Sequence, residues 1–151
     1  QADGMYGRVY CMKFSTKDRY ALRLMLELAA HKPDEFVPLK TVSENQGISL
    51  KYLEQIITPL SRAGLVVSGR GSQGGYRLAR PAAQYTAGEI LRAIEGELTS
   101  IPCLASTAEE CPRRNLCQTL GFWAGLNAAI NRYVDSVTLE DLCRAPDAVS
   151  L

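Results

Sequence analysis

The sequence predicts a mainly α-helical fold with a small two-stranded β wing and a long helix toward the C-terminus. Three observations carry that expectation. Apolar residues recur at helical spacing through most of the 151 residues, a seven-residue turn with four glycines separates two short strand-like runs within 65–78, and an apolar repeat alternating by four and three runs from Leu116 to Val137.

With 46% hydrophobic and 22% charged residues, a chain of this length can bury one good core, and nothing in its composition indicates disorder. Its apolar runs are short and interrupted by charge, below the ~20 residues of a membrane span. Five cysteines without a secretory pattern point away from a disulfide scaffold and toward a reducing compartment, with the cytoplasm as the expected location.

Residues 1–11 lack any sustained period and read as a leader or tag-like extension, which leaves Cys11 outside the expected fold. The organised chain begins at Met12. Ser15-Thr16-Lys17-Asp18 has the form of a capping box, and Ala21, Leu24, Met25 and Leu28 follow at helical spacing to about His31. Pro33 and Pro38 bracket a loop; Leu39–Gln46 is a short helix that Gly47 can end, and Ser49 can cap the next. That next helix has Leu53, Ile56, Ile57 and Leu60 as its buried stripe, leaving Lys51, Tyr52, Glu54 and Gln55 on or near its outer face. Pro59 should bend or loosen its last turn before Gly64.

Helix, glycine turn and a second helix with outward polar residues form the helix-turn-helix pattern, and the continuation sharpens it. Leu65-Val66-Val67 and Tyr76-Arg77-Leu78 flank the turn Gly69–Gly75, so a two-stranded wing directly follows the second helix. The glycines let the tip approach a backbone closely, and Arg70 at the tip suits a narrow minor groove. A phosphate-cradling loop is the rival reading, but such loops run from strand to helix.

Charge supports a polyanionic partner. From Met12 to Arg80 there are 11 Lys and Arg against 6 Asp and Glu, while the remainder carries 6 against 10. A basic surface with no partner is the alternative. After Pro81, Thr86 and Glu89 make another capping box for a helix burying Ile90, Leu91 and Ile94, which closes a winged helix-turn-helix domain over 12–97.

Periodicity then disappears over 98–115. Cys103-x7-Cys111-x5-Cys117 places three thiols around this segment, with Pro102 and Pro112 beside them to restrict it. Thiolates select iron–sulfur clusters, zinc or copper(I), and zinc ranks below a cluster because its usual Cys-x2–4-Cys pairs are absent. Free thiols that form a disulfide on oxidation are the remaining alternative. Cys143 and His31 read as bystanders, and a single histidine supports no catalytic constellation, so no enzyme is expected.

Residues 116–143 are expected to form the dimerisation helix and a terminal turn capped by Thr138 and Asp141, with 144–151 as a tail. Leu116, Leu120, Trp123, Asn127, Ile130, Val134 and Val137 have coiled-coil seam spacing, with Asn127 as a polar residue fixing register. The alternative is that this stripe packs on its own core. A homodimer would set two reading helices about one duplex turn, ~34 Å, apart.

MKFSTKDRYALRLMLELA at Met12, ISLKYLEQIITPLSRAGLVVSGRGSQGGYRLARP from Ile48 and the cysteine loop before a long helix resemble the bacterial winged-helix regulator family of IscR, NsrR and CymR, closest to its three-cysteine, iron–sulfur-binding members. The resemblance spans Met12 to Leu142. It implies a homodimeric transcription factor on double-stranded DNA whose binding is controlled by a 2Fe-2S or 4Fe-4S cluster on Cys103, Cys111 and Cys117, the alternatives being a cluster-free thiol-redox or cysteine-metabolism regulator or a protein-interaction adaptor that uses the winged helix. By position, Glu54 and Gln55 would read bases, Lys51 and Tyr52 would support docking and Arg70 would occupy the minor groove. The histidine that completes the site in IscR-like members is Leu120 here, and the partner-helix acid of NsrR-like members is Arg19. A fourth ligand is therefore open among Asp18 from a partner, Glu109, Glu110, a backbone group, water or a small thiol.

Overall fold

The computed structural model describes residues 14–144 apart from Gln73. The extension expected over 1–11, Cys11 and the tail beyond Arg144 lie outside the described residues.

Helix α1 (Thr16–Ala30) starts at the expected capping box: the Ser15 N–H donates to Asp18 Oδ2 at 2.7 Å. Its inner face carries Ala21, Leu24, Met25 and Leu28, all buried. Helix α2 (Leu39–Gln46) ends where Gly47 turns left-handed at φ 64°. Helix α3 (Leu50–Arg62) is capped by Ser49, whose hydroxyl accepts from the Tyr52 N–H at 3.2 Å, and it continues past Pro59 for one short stretch.

The wing is an antiparallel pair, β1 (Val66–Gly69) with β2 (Gly75–Leu78), in the register Val66 to Leu78 and Gly69 to Gly75. It extends one pair further into the glycine turn than the apolar runs indicate. Val37 adds a third edge, accepting from the Tyr76 N–H at 2.9 Å and donating to the Tyr76 carbonyl at 2.8 Å. That crossing requires a glycine at 75, since a Cβ there would run into the Val37 carbonyl.

Helix α4 (Ala87–Glu95), capped by Thr86, and the short α6 (Leu139–Cys143), capped by Thr138 and Asp141, complete the winged half. Helix α1 lies at its centre, packed on α2, α3, α4, α6 and β2. Tyr85 ties the wing root to this core. Fully buried, its hydroxyl donates to the Leu65 carbonyl at 2.6 Å and accepts from the Ala79 N–H at 2.9 Å.

Helix α5 (Leu120–Ser136) packs on α4 through a small second cluster in which Ile130 and Val134 meet Leu91, Leu98 and Leu22. It starts four residues later than the apolar repeat suggests, because Leu116 lies in the 3-10 turn Arg114–Leu116 and Cys117 is extended. Asn127 is also not a free seam residue: its Oδ1 accepts from the Ser100 N–H at 2.9 Å, since residues 98–100 return along α5. The face left open carries Phe122, Leu126 and Tyr133, of which Phe122 and Tyr133 are 65% and 68% exposed.

No helix among the described residues is long and apolar enough to cross a membrane.

Candidate nucleic-acid interface and cysteine loop

The two faces of α3 are chemically separate. Leu53, Ile56, Ile57 and Leu60 are buried in the main core, while Lys51, Glu54 and Gln55 are exposed on the opposite side. Burying four aliphatic side chains fixes the rotation of the helix, so the polar residues cannot turn away. Tyr52 is half-buried, its ring edge-on to that of Tyr20 with centroids 5.4 Å apart. It braces α3 against α1. Arg70 is exposed at the wing tip, one residue before Gly71 at φ 94°.

Several further residues surround this face. Leu50 and Thr58 are exposed one turn to either side of Glu54, a placement that the four-residue spacing could have shown. Arg23 stacks over the Tyr20 ring at 5.2 Å and donates to Gln46 Oε1 at 3.2 Å, which locks α2 to α1. Phe36 lies under Gly69 of the wing, with Arg77 over its ring. No local pattern announces these last contacts.

All three loop cysteines are exposed. Cys103 sits in the 3-10 turn Pro102–Leu104, and the Glu97 carboxylate closes the segment around it by accepting from the Ser106 N–H at 3.0 Å and hydroxyl at 2.7 Å. Those bonds hold the Glu97 carboxyl below its ordinary pKa. Cys111 and Cys117 line one open hollow with Arg113, Leu116 and Gln118. Hydrogen bonds from Thr119 and the Leu120 N–H at the start of α5, with the Arg113 charge nearby, hold the Cys117 thiol below the ordinary range.

The donor chemistry fits a thiophilic metal centre, since the three thiols are accessible. The chain does not gather them, however: among the described residues no three His, Cys, Asp or Glu side chains form a group able to hold a metal ion. Leu120 supplies no donor, and the exposed Arg19 only reaches Thr16 Oγ1, at 3.2 Å. Asp18 is 1% exposed and turned into its own chain, where Oδ2 is taken by Ser15. Of the candidate fourth ligands, Glu109 and Glu110 are exposed. Cys143 stands apart on α6, its thiol pushed up by burial and by Glu140.

A helix pair with an outward polar face, followed by a glycine-tipped wing, defines a winged-helix protein of the transcription-regulator class rather than an enzyme. Residues 14–145 match the family model described as Rrf2, iron-dependent transcriptional regulator, and the chain belongs to that family. The HTH-type transcriptional regulator IscR of Vibrio atlanticus is 36% identical over 140 residues, 93% of this chain and 80% of that protein. Among solved structures, the global cysteine regulator CymR of B. subtilis aligns with a TM-score of 0.72 and 37% identity over 90% of this chain and 99% of that one. IscR of T. potens aligns with a TM-score of 0.70 and 38% identity, covering 88% of this chain and 87% of that one.

Proposed function

We propose that the protein is a homodimeric regulator that reads double-stranded DNA with α3 and the wing, under the control of an iron–sulfur cluster on Cys103, Cys111 and Cys117. The observation that carries the DNA half is the fixed rotation of α3, which holds Lys51, Glu54 and Gln55 outward above four buried aliphatic residues. Glu54 accepts from cytosine N4, Gln55 pairs with adenine, Lys51 and Tyr52 support docking, and Arg70 enters the minor groove. The positive excess over residues 12–80 supplies attraction independent of sequence.

Dimerisation is assigned to α5, through the apolar face formed by Phe122, Leu126 and Tyr133 rather than through the Asn127 stripe. A cluster, when bound, would join the three thiolates and respond to iron, redox or nitric oxide status. The residues of this chain transmit that restraint: Cys117 lies three residues before α5, and Cys103 lies in the turn clasped by Glu97 and Ser106, so the loop spans the winged half and the dimer helix.

Two thiols, Cys111 and Cys117, lining one hollow and the similarity to CymR favour a second reading, in which the same loop acts without iron as a thiol-redox or cysteine-responsive switch. Anaerobic purification separates the two. The cluster reading expects visible charge-transfer absorbance with stoichiometric iron and sulfide, lost in Cys103→Ala, Cys111→Ala and Cys117→Ala. Colourless protein that gains a Cys111–Cys117 disulfide by mass under mild oxidation supports the second.

A further inference from the structure

Leu50 opens α3 with its side chain 43% exposed, although every other leucine and isoleucine of that helix is at most 4% exposed. Among the described residues of the winged half, only Phe14 is a comparably exposed large apolar side chain, and it borders the undescribed N-terminus. Leu50 stands one helical turn before Glu54 and next to Lys51, both exposed, so an apolar side chain is set into the polar face offered to DNA. Ser49 caps the helix there through the Tyr52 N–H, fixing the direction of this first turn.

We infer that Leu50 reads a thymine through its C5 methyl group. The inference rests on the DNA reading above and adds a base to it. The N-terminal turn of a recognition helix is the part that meets base edges, and the thymine methyl is the apolar feature that a major groove displays. Side chains one turn apart on a helix are about 5–6 Å apart, and successive base pairs rise ~3.4 Å. The thymine read by Leu50 therefore lies within about two base pairs of the cytosine read by Glu54. Covering one methyl with an aliphatic side chain is worth about fourfold in affinity per half-site.

The test uses the dimeric protein and an operator selected from a randomised duplex pool. Each thymine of a half-site is replaced in turn by deoxyuridine, which keeps base pairing and removes only the methyl. The expected result is one thymine per half-site, beside the position at which Glu54→Ala relaxes discrimination, where the replacement weakens binding about fourfold. In Leu50→Ala the thymine and uracil duplexes should then bind alike. Equal binding of wild-type protein to every uracil-substituted duplex overturns the inference without any variant, and so does a thymine preference that persists in Leu50→Ala. If selection enriches no sequence at all, the DNA reading itself fails; if it enriches one that tolerates uracil throughout, only the role of Leu50 does.

Discussion

Arg92 on α4 grips Asp135 on α5 with both arms of its guanidinium, Nη1 to Oδ1 at 2.6 Å and Nη2 to Oδ2 at 2.9 Å. Nη2 also donates to Asn131 Oδ1 at 2.7 Å, and Asn131 in turn donates to the Leu98 carbonyl at 2.9 Å. Together with the Leu91, Leu98 and Val134 cluster, this fork fixes the angle of α5 to the winged half. Both partners are partly exposed, which limits the pair to about 1 kcal/mol. Arg92→Ala should therefore barely move the denaturation midpoint, yet weaken dimer binding to a two-half-site operator more than to a single half-site. A gel shift on both duplexes measures this.

The same fork has a pH signature. Arg92 holds the Asp135 carboxyl below its ordinary value of 3.8, so its contribution is complete above that value and lost as pH falls through the lower folded value. Asp135→Asn should lower neutral stability by at most about 1 kcal/mol and flatten the acid limb, the difference from wild type vanishing once the pH falls below the folded value.

Asp18 has the opposite sign. Burial first, then the Glu95 charge, push its carboxyl above 3.8, so the folded state favours the proton and loses stability as pH rises from 3.8 through the raised value. Oδ1 is also buried without a hydrogen-bond partner. Asp18→Asn keeps an acceptor for the Ser15 N–H while removing the charge. The variant should melt higher than wild type at neutral pH, with the gain disappearing toward pH 4, as thermal melts across that range would record.

Removing the Tyr85 hydroxyl strands the Leu65 carbonyl and the Ala79 N–H at the wing root. Tyr85→Phe should cost ~1–3 kcal/mol, read as a lower urea midpoint at unchanged slope.

Two substitutions separate reading from attraction. Glu54→Ala should relax discrimination at one base pair by ~1–3 kcal/mol, whereas Arg70→Ala should lower the salt slope by about one and weaken most the duplexes with a narrow minor groove under the wing. Uniform weakening by Glu54→Ala contradicts its assigned role.

Much of the fold was legible because its signals are local. Ser15 with Asp18, Ser49, Gly47, Thr86 and Thr138 with Asp141 all act within a few residues of their partners, and each marks a helix boundary as expected. The pairing of Tyr85 with Leu65, of Val37 with Tyr76 and of Arg92 with Asp135 joins distant segments, and no periodicity encodes it. For the α5 stripe the sequence left two outcomes open, a partner helix or the chain's own core. An apolar repeat specifies a contact face but not whether its own chain or a partner covers it, and here residues 98–100 and α4 take the Asn127–Val134 side. The exposed residues of α3 were legible from the helical period, while the placement of the three thiols was not, because an irregular loop has no period to extrapolate.

We propose that an iron–sulfur cluster held by the cysteine loop sets the affinity for DNA. This is tested most directly by titrating one selected operator with anaerobically prepared protein before and after chelation of its iron, with iron and sulfide counted on the same samples. The protein should be coloured and its operator affinity should change about tenfold or more when the metal is removed, with Cys103→Ala, Cys111→Ala and Cys117→Ala fixed at the metal-free value. Protein that never holds iron, or that binds the operator equally well in both states, would contradict it.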